Sequence, residues 1–231
     1  MINRQTELAW LYHDGTKHSP LSVRNSPHSL DWGNMPLPFK IYPSLEPIPL
    51  PREAPQTGVA ALSAIAENAR PGPGRTLSLN DLALLLYFSA GITRYRKYPG
   101  GEIYFRAAAC TGALYEIELY LVCRGIPELE PGLYHFAVAE FGLRKLRTGD
   151  YSGVLQEATG NHPAIERAPL TVICAGVYWR NAWKYQARTW RHFGWDNGTL
   201  LSNLTAMSSA LGLPAQVLLG FQDAVVNRLI D

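Results

Sequence analysis

The sequence predicts an α+β protein in which helices flank a central, mainly antiparallel sheet. Three observations predict it: an alternating segment at residues 116–123, a hairpin-like pair at 133–138 and 143–147, and helix-periodic apolar runs on either side of these strands. With 231 residues, 47% of them hydrophobic and only 17% charged, the chain can bury a large core.

Residues 1–56 read as an extended arm, because Pro36, Pro38, Pro43, Pro47, Pro49, Pro51 and Pro55 deny it long helices. An arm has no core of its own, so Trp10, Tyr12, Trp32, Phe39 and Tyr42 need another surface, a partner's among the candidates. The main domain is expected at 57–231. Thr57 can cap a helix carrying Leu62, Ile65, Ala66 and Ala69 until Pro71 stops it. Ser78 and Asp81 have capping-box spacing before a helix with Leu79, Leu82, Ala83 and Leu86 on one face and Gly91 as its stop. In the alternating segment, Ile117, Leu119, Leu121 and Cys123 share one face and Glu116, Glu118 and Tyr120 the other, the pattern of a half-buried strand. The apolar run 170–177 reads as a buried strand. Leu200, Leu201, Leu204, Met207, Ser208 and Leu211 then repeat at helical spacing up to Gly212 and Pro214. A short apolar strand at 214–219 and a last helix at 223–230 complete the order.

The net charge of +2, with Lys and Arg scattered, argues against a nucleic-acid partner, since phosphate backbones are captured by a clustered basic face. Cys110, Cys123 and Cys174 are odd in number and lack CxxC spacing, which argues against a disulfide framework and against a zinc or other metal site. A reducing, cytoplasmic setting is the expectation, for the amino terminus has no signal-like apolar core and no apolar run reaches the length of a membrane span.

Two constellations carry chemistry. Arg106 leads into Ala107, Ala108, Ala109, Cys110, Thr111, Gly112, Ala113, Leu114 and Tyr115, directly before the alternating segment. Small residues there let backbone approach a flat ligand, though tight packing alone also explains such a run. The second runs from Trp183 through Lys184, Tyr185, Arg188, Trp190, Arg191 and His192 to Trp195, Asp196 and Thr199. Cations among aromatics in so apolar a stretch fit either a buried reaction site or a structural layer of cation–π pairs. Elsewhere His28, His135 and His162 lack ligand spacing and read as hydrogen-bonded or solvated. Cys110 reads as an inert small side chain rather than a nucleophile.

Four segments in order, Tyr12-His13 with Thr16-Lys17-His18, Gly112-Ala113-Leu114-Tyr115 with Glu118-Leu119-Tyr120, Lys184-Tyr185 with Arg188 and Arg191, and Leu211-Gly212-Leu213 with Gly220-Phe221, Asp223 and Asn227, resemble the SagB/ThcOx-type dehydrogenases of the nitroreductase superfamily. The resemblance spans nearly the whole chain. It implies a nitroreductase-like fold with FMN at an interface to which two subunits, or two halves of a tandem repeat, both contribute. The arm and the short tail after Asn227 look like the amino-terminal half of such a tandem member. The resemblance places Arg106, Cys110, Thr111, Gly112, Ala113, Arg188, Leu219 and Gly220 at the cofactor, with Lys184 as base and Tyr185 as proton relay. It implies hydride transfer from a substrate carbon to the flavin, azoline rings of a modified peptide being the family's familiar target. NAD(P)H-dependent reduction of nitro compounds or quinones is the alternative, as is a non-catalytic half that supports a partner's flavin site. This chain departs from the family pattern in four places. The Pro-Ser-Ala-Gly turn reads Ala109-Cys110-Thr111-Gly112, Glu116 replaces a Pro, Thr199 stands for His, and the Arg-x-Ser-x-Arg phosphate clamp is missing, only Arg70 and Arg75 lying in that region.

Overall fold

A computed structural model describes residues 6–53, 57–66, 75–99 and 101–231. Its centre is a five-stranded antiparallel sheet in the order β1-β6-β5-β4-β7: β1 (Pro47–Pro49), β4 (Ile117–Cys123), β5 (Gly132–Ala137), β6 (Gly142–Thr148) and β7 (Leu170–Gly176). The expected hairpin is β5–β6, with Phe136 opposite Leu143. Helices α4 (Leu79–Ala90) and α8 (Thr189–Ala210) cover one face. There Leu82, Leu86, Leu200, Met207 and Leu211 pack on Leu119, Leu121 and Leu143. The helices α5 (Ser152–Ala158), α6 (Pro163–Arg167) and α9 (Asp223–Ile230) cover the other, where Leu155, Ile165, Val226 and Leu229 meet Tyr120, Val122 and Leu133. The α+β architecture with a central antiparallel sheet is the one the sequence predicts.

Two layers of helix explain the first correction. Residues 116–123 alternate as a half-buried strand would, yet every residue of β4 is buried. Its polar face is an interior face, and Glu118 survives there only because cations accompany it.

Ser78 and Asp81 form the expected capping box: Ser78 Oγ accepts from the Asp81 amide at 3.1 Å, and the Asp81 carboxylate accepts from the Ser78 amide at 3.1 Å. Arg75 adds a 2.6 Å ion pair to Asp81. Ser78→Ala is expected to lower stability by about 1 kcal/mol, measurable as a shift of the urea midpoint. A short helix, α3 (Ala61–Ala66), follows Thr57, whose hydroxyl accepts from the Val59 amide at 3.3 Å. The expected end of this helix near Pro71 lies outside the described residues. Its Leu62 and Ile65 are 81% and 70% exposed.

Three other expectations are corrected. The arm is not extended throughout: α1 (Thr6–Thr16) precedes its first proline, and α2 (Pro20–Arg24) takes Pro20 in its first turn, where the missing N–H costs nothing. The arm also gives β1 to the sheet. The run 170–177 forms a strand, but at the sheet edge and half-buried. Residues 214–219 form no strand, because none of the described strands pairs with them, and Val217 and Leu219 are exposed. A second, two-stranded sheet of β2 (Ile92–Tyr98) and β3 (Gly101–Arg106) went unpredicted, although Pro99-Gly100 is a turn dipeptide. No described helix is long and apolar enough to cross a membrane.

Candidate active site

The backbone between β3 and β4 is a tight turn in which Gly112, Ala113 and Tyr115 have φ of 66°, 55° and 51°. Left-handed conformation at two non-glycine residues is costly and must be imposed by surrounding bonds. Those bonds are present. Asp196 on α8 accepts from the Thr111 amide at 3.0 Å and from the Thr111 hydroxyl at 2.8 Å. The Tyr115 amide donates to Cys110 Sγ at 3.0 Å, and the Tyr115 hydroxyl accepts from the Arg106 amide at 2.9 Å. Thr199 donates to Ala109 O at 2.7 Å. From α7 (Tyr178–Tyr185), Arg180 Nη1 donates to Tyr115 O at 2.8 Å.

Tyr185 lies over this turn. A Cβ built on Gly112 would stand 2.5 Å from the Tyr185 hydroxyl, so glycine is required by contact as well as by φ. The His192 ring meets Tyr185 edge-on with centroids 4.6 Å apart, and its Nδ1 is 2.8 Å from Asn181 Oδ1, which also accepts from Thr189. Burial pushes the Tyr185 phenol up, and Cys110, Asp196 and Glu116 push it further. Burial and the Arg188 charge lower His192. Lys184 is half-buried with its ammonium 5.4 Å from the centre of the Tyr185 ring.

The Cys110 thiol turns inward. Its sulfur is 3.1 Å from Glu116 Oε2 and 3.3 Å from Asp196 Oδ2, and burial together with these acids raises its pKa. Burial and the hydrogen bond to Asp196 push Glu116 up to about 7. A second buried network adjoins. Glu118 Oε1 accepts from Arg180 at 2.6 Å and from the Lys40 amide at 3.2 Å, and its Oε2 lies 2.9 Å from His135 Nε2. Burial raises this carboxyl, but the His135 hydrogen bond and the charges of Arg180, His135 and Arg106 outweigh it and hold it at about 2. Sequence reasoning gave no site role to Glu116, Glu118 or Arg180, and counted Asp196 only as a member of the second constellation. The signal for two of them was an acid inside an apolar strand.

The structure thus brings Cys110, Thr111, Gly112, Ala113 and Tyr185 together, with Lys184 at the margin. Arg106 is buried behind the turn, 4.8 Å from the Tyr115 ring centre and donating to Pro38 O at 3.2 Å. Arg188 is committed to the arm: Arg188 donates to Thr16 O, and Arg191 to Thr16 Oγ1 at 2.8 Å and His13 O at 2.6 Å, so the two cations cap the carboxyl end of α1. Tyr12 and Asp31 extend this docking, through Ala187 O at 3.0 Å and Trp183 Nε1 at 2.8 Å. Leu219 and Gly220 are exposed and not gathered at the turn. Arg75 pairs with Asp81, and Arg70 lies outside the described residues.

No family model matches the chain. It is 33% identical to an Anabaena variabilis protein named as a nitroreductase, whose crystal structure superposes with a TM-score of 0.80 over 96% of this chain and 42% of that one. The chain therefore spans less than half the length of that relative. A Methanocaldococcus jannaschii protein, also named as a nitroreductase, is 24% identical over 154 residues, 67% of this chain and 74% of its own. One chain of the Escherichia coli microcin synthetase McbBCD complex, solved with truncated pro-MccB17 bound, shares the fold at 16% identity, with a TM-score of 0.54 over 96% of this chain and 85% of that one. The sheet, its two helical layers and these likenesses together give the chain a nitroreductase-like fold, similar to that of proteins named as nitroreductases.

Proposed function

We propose that the chain is one half of an FMN-dependent oxidoreductase whose flavin site is completed by a second nitroreductase-like half. The observation that carries this reading is the braced left-handed turn at Gly112, presented at the surface beside Tyr185 with only a water-sized cavity behind it. The described residues of this chain alone do not fit an isoalloxazine ring. The cavity behind the turn is about 20 Å³, room for roughly one water. Tyr185 covers Gly112, the Cys110 thiol faces away, and Arg75 is paired with Asp81. The rest of the envelope is left to the second half, and Leu62 and Ile65, 81% and 70% exposed, are apolar surface that such a half can cover. The Anabaena relative, more than twice as long as the matched region, supports the same view.

FMN, when bound, supplies a two-electron hydride acceptor or donor. Lys184 and Tyr185 are the groups we assign to proton handling. Tyr185 borders both the turn and the acids Cys110, Asp196 and Glu116, and the Lys184 cation is near its ring. Oxidation of an azoline ring in a modified peptide is the proposed chemistry, supported by the fold shared with a chain of the microcin synthetase complex. NAD(P)H-dependent nitro or quinone reduction is the second reading, supported by the names of the other relatives. The Tyr185 contact on Gly112 and the Arg75–Asp81 pair also favour a version in which this half only supports the other's flavin.

Flavin content tests the composite site. The chain purified alone is expected to be colourless. Co-expressed with the part of the Anabaena relative that it does not match, it is expected to retain FMN that is released on denaturation. Stoichiometric FMN on a monomer of this chain would refute the composite site, and FMN on a homodimer would make a second copy the completing half. Joined halves that bind no FMN at excess would refute the flavin reading.

A further inference from the structure

Cys110, Glu116 and Asp196 meet behind the turn, with one ligand atom from each within 4.8 Å of the others. Glu116 is fully buried, yet its Oε1 has no hydrogen-bond partner, an unusual state for a buried carboxylate. The other two ligands are already oriented. Thr111 holds both oxygens of Asp196, and the Tyr115 amide donates to the sulfur, the kind of supporting shell that metal ligands require. The cavity of about 20 Å³ is lined by Cys110, Asp196 and Arg106, and has room for about one water.

We propose that Cys110, Glu116 and Asp196 bind a divalent cation of the zinc class, with a water in the adjoining cavity as fourth ligand. Tetrahedral zinc, with bonds of about 2.3 Å to sulfur and about 2.0–2.2 Å to oxygen, sets neighbouring S and O about 3.5 Å apart. The observed 3.1 and 3.3 Å separations need to open by only a few tenths of an ångström. A thiolate and two carboxylates outweigh a dication by one negative charge. Arg106, buried at the same cavity with its Nε unpartnered, supplies the matching positive charge. Cys110 and Glu116 supply two of the ligands, and Thr111 and Thr199 brace the turn and Asp196. The site ties the turn to α8, and it does not depend on flavin.

The test uses the chain stripped by a chelator and free of FMN. Titration with Co²⁺ is expected to end at one equivalent with a near-ultraviolet thiolate-to-cobalt absorption, and Zn²⁺ is expected to raise the melting temperature. Cys110→Ser should lose the absorption, and Asp196→Asn should bind at least ten-fold more weakly. In the unaltered chain, Zn²⁺ should slow alkylation of Cys110 and leave that of Cys174 unchanged, a readout that stands even if the variants fail to fold. No cobalt band together with no zinc-dependent melting shift would overturn the site, leaving the acids to share a proton. So would unchanged affinity in Cys110→Ser, which would assign the ion to exposed histidines.

Discussion

Glu118→Gln is expected to cost about 3–5 kcal/mol of folding free energy, measured by urea unfolding, because it leaves buried cations without their anion. Arg180 and Glu118 are both nearly inaccessible, 2.6 Å apart, and His135 stands on the second carboxylate oxygen. A glutamine has one acceptor oxygen, so its amide must point N–H either at Arg180, which cannot accept, or at His135, which accepts only in the tautomer that puts the proton on its buried, unpartnered Nδ1. The alternative of removing both members of the ion pair is milder. Glu118→Leu combined with Arg180→Met should cost less than Glu118→Gln alone, since it takes the buried Arg180 charge away together with its anion. If the single variant matched the wild type, the pair would be solvated in solution and β4 would have an open face.

The same residues set the pH profile. Glu118, held at about 2 against an ordinary 4.5, contributes stability that is complete above pH 4.5 and is lost as pH falls through 2. Glu116, pushed up to about 7, behaves oppositely: its contribution is complete below pH 4.5 and is lost as pH rises through 7. In chelator, Glu116→Gln is therefore expected to flatten the decline between pH 4.5 and 7 while leaving the acid limb in place. A decline of unchanged slope would assign it to another group.

Gly112→Ala is the second large effect. An L-residue at φ 66° costs about 1–2 kcal/mol, and the new methyl meets the Tyr185 hydroxyl at 2.5 Å and two ring carbons at 3.2 and 3.3 Å. The combined loss is expected to be about 2–4 kcal/mol. In a Tyr185→Phe background the hydroxyl is gone and only the ring contacts remain, so part of the loss should return. Thermal unfolding of the four members of this cycle gives the coupling. Equal losses in both backgrounds would mean that Tyr185 does not cover the turn.

Local rules read the framework well. Ser78 and Asp81 formed their capping box, the β5–β6 hairpin fell where the alternation put it, and α9 occupies residues 223–230 as the spacing predicted. What failed was whatever depended on the third dimension. Glu116 and Glu118 were placed on an outward face because alternation reports only that two faces differ, not that a second helical layer covers the polar one. Residues 214–219 have strand composition, but a strand needs a neighbour. Arg188 carried the charge expected beside a cofactor, and nothing in its surroundings announced that the end of α1 would claim it. Cys110 and Asp196 belong to one cluster through α8, a distance in sequence that no motif spans.

The two margins of the large sheet are unequal. Leu50 donates its amide to Phe141 O across the β1–β6 ladder at 3.1 Å, so the alternate positions Pro47 and Pro49 direct their nitrogens away from β6. Neither nitrogen carries a hydrogen. That border offers acceptors without donors and cannot template another chain, whereas β7 has no proline along its length. Growth of the sheet, whether by assembly or by aggregation, can proceed in one direction only.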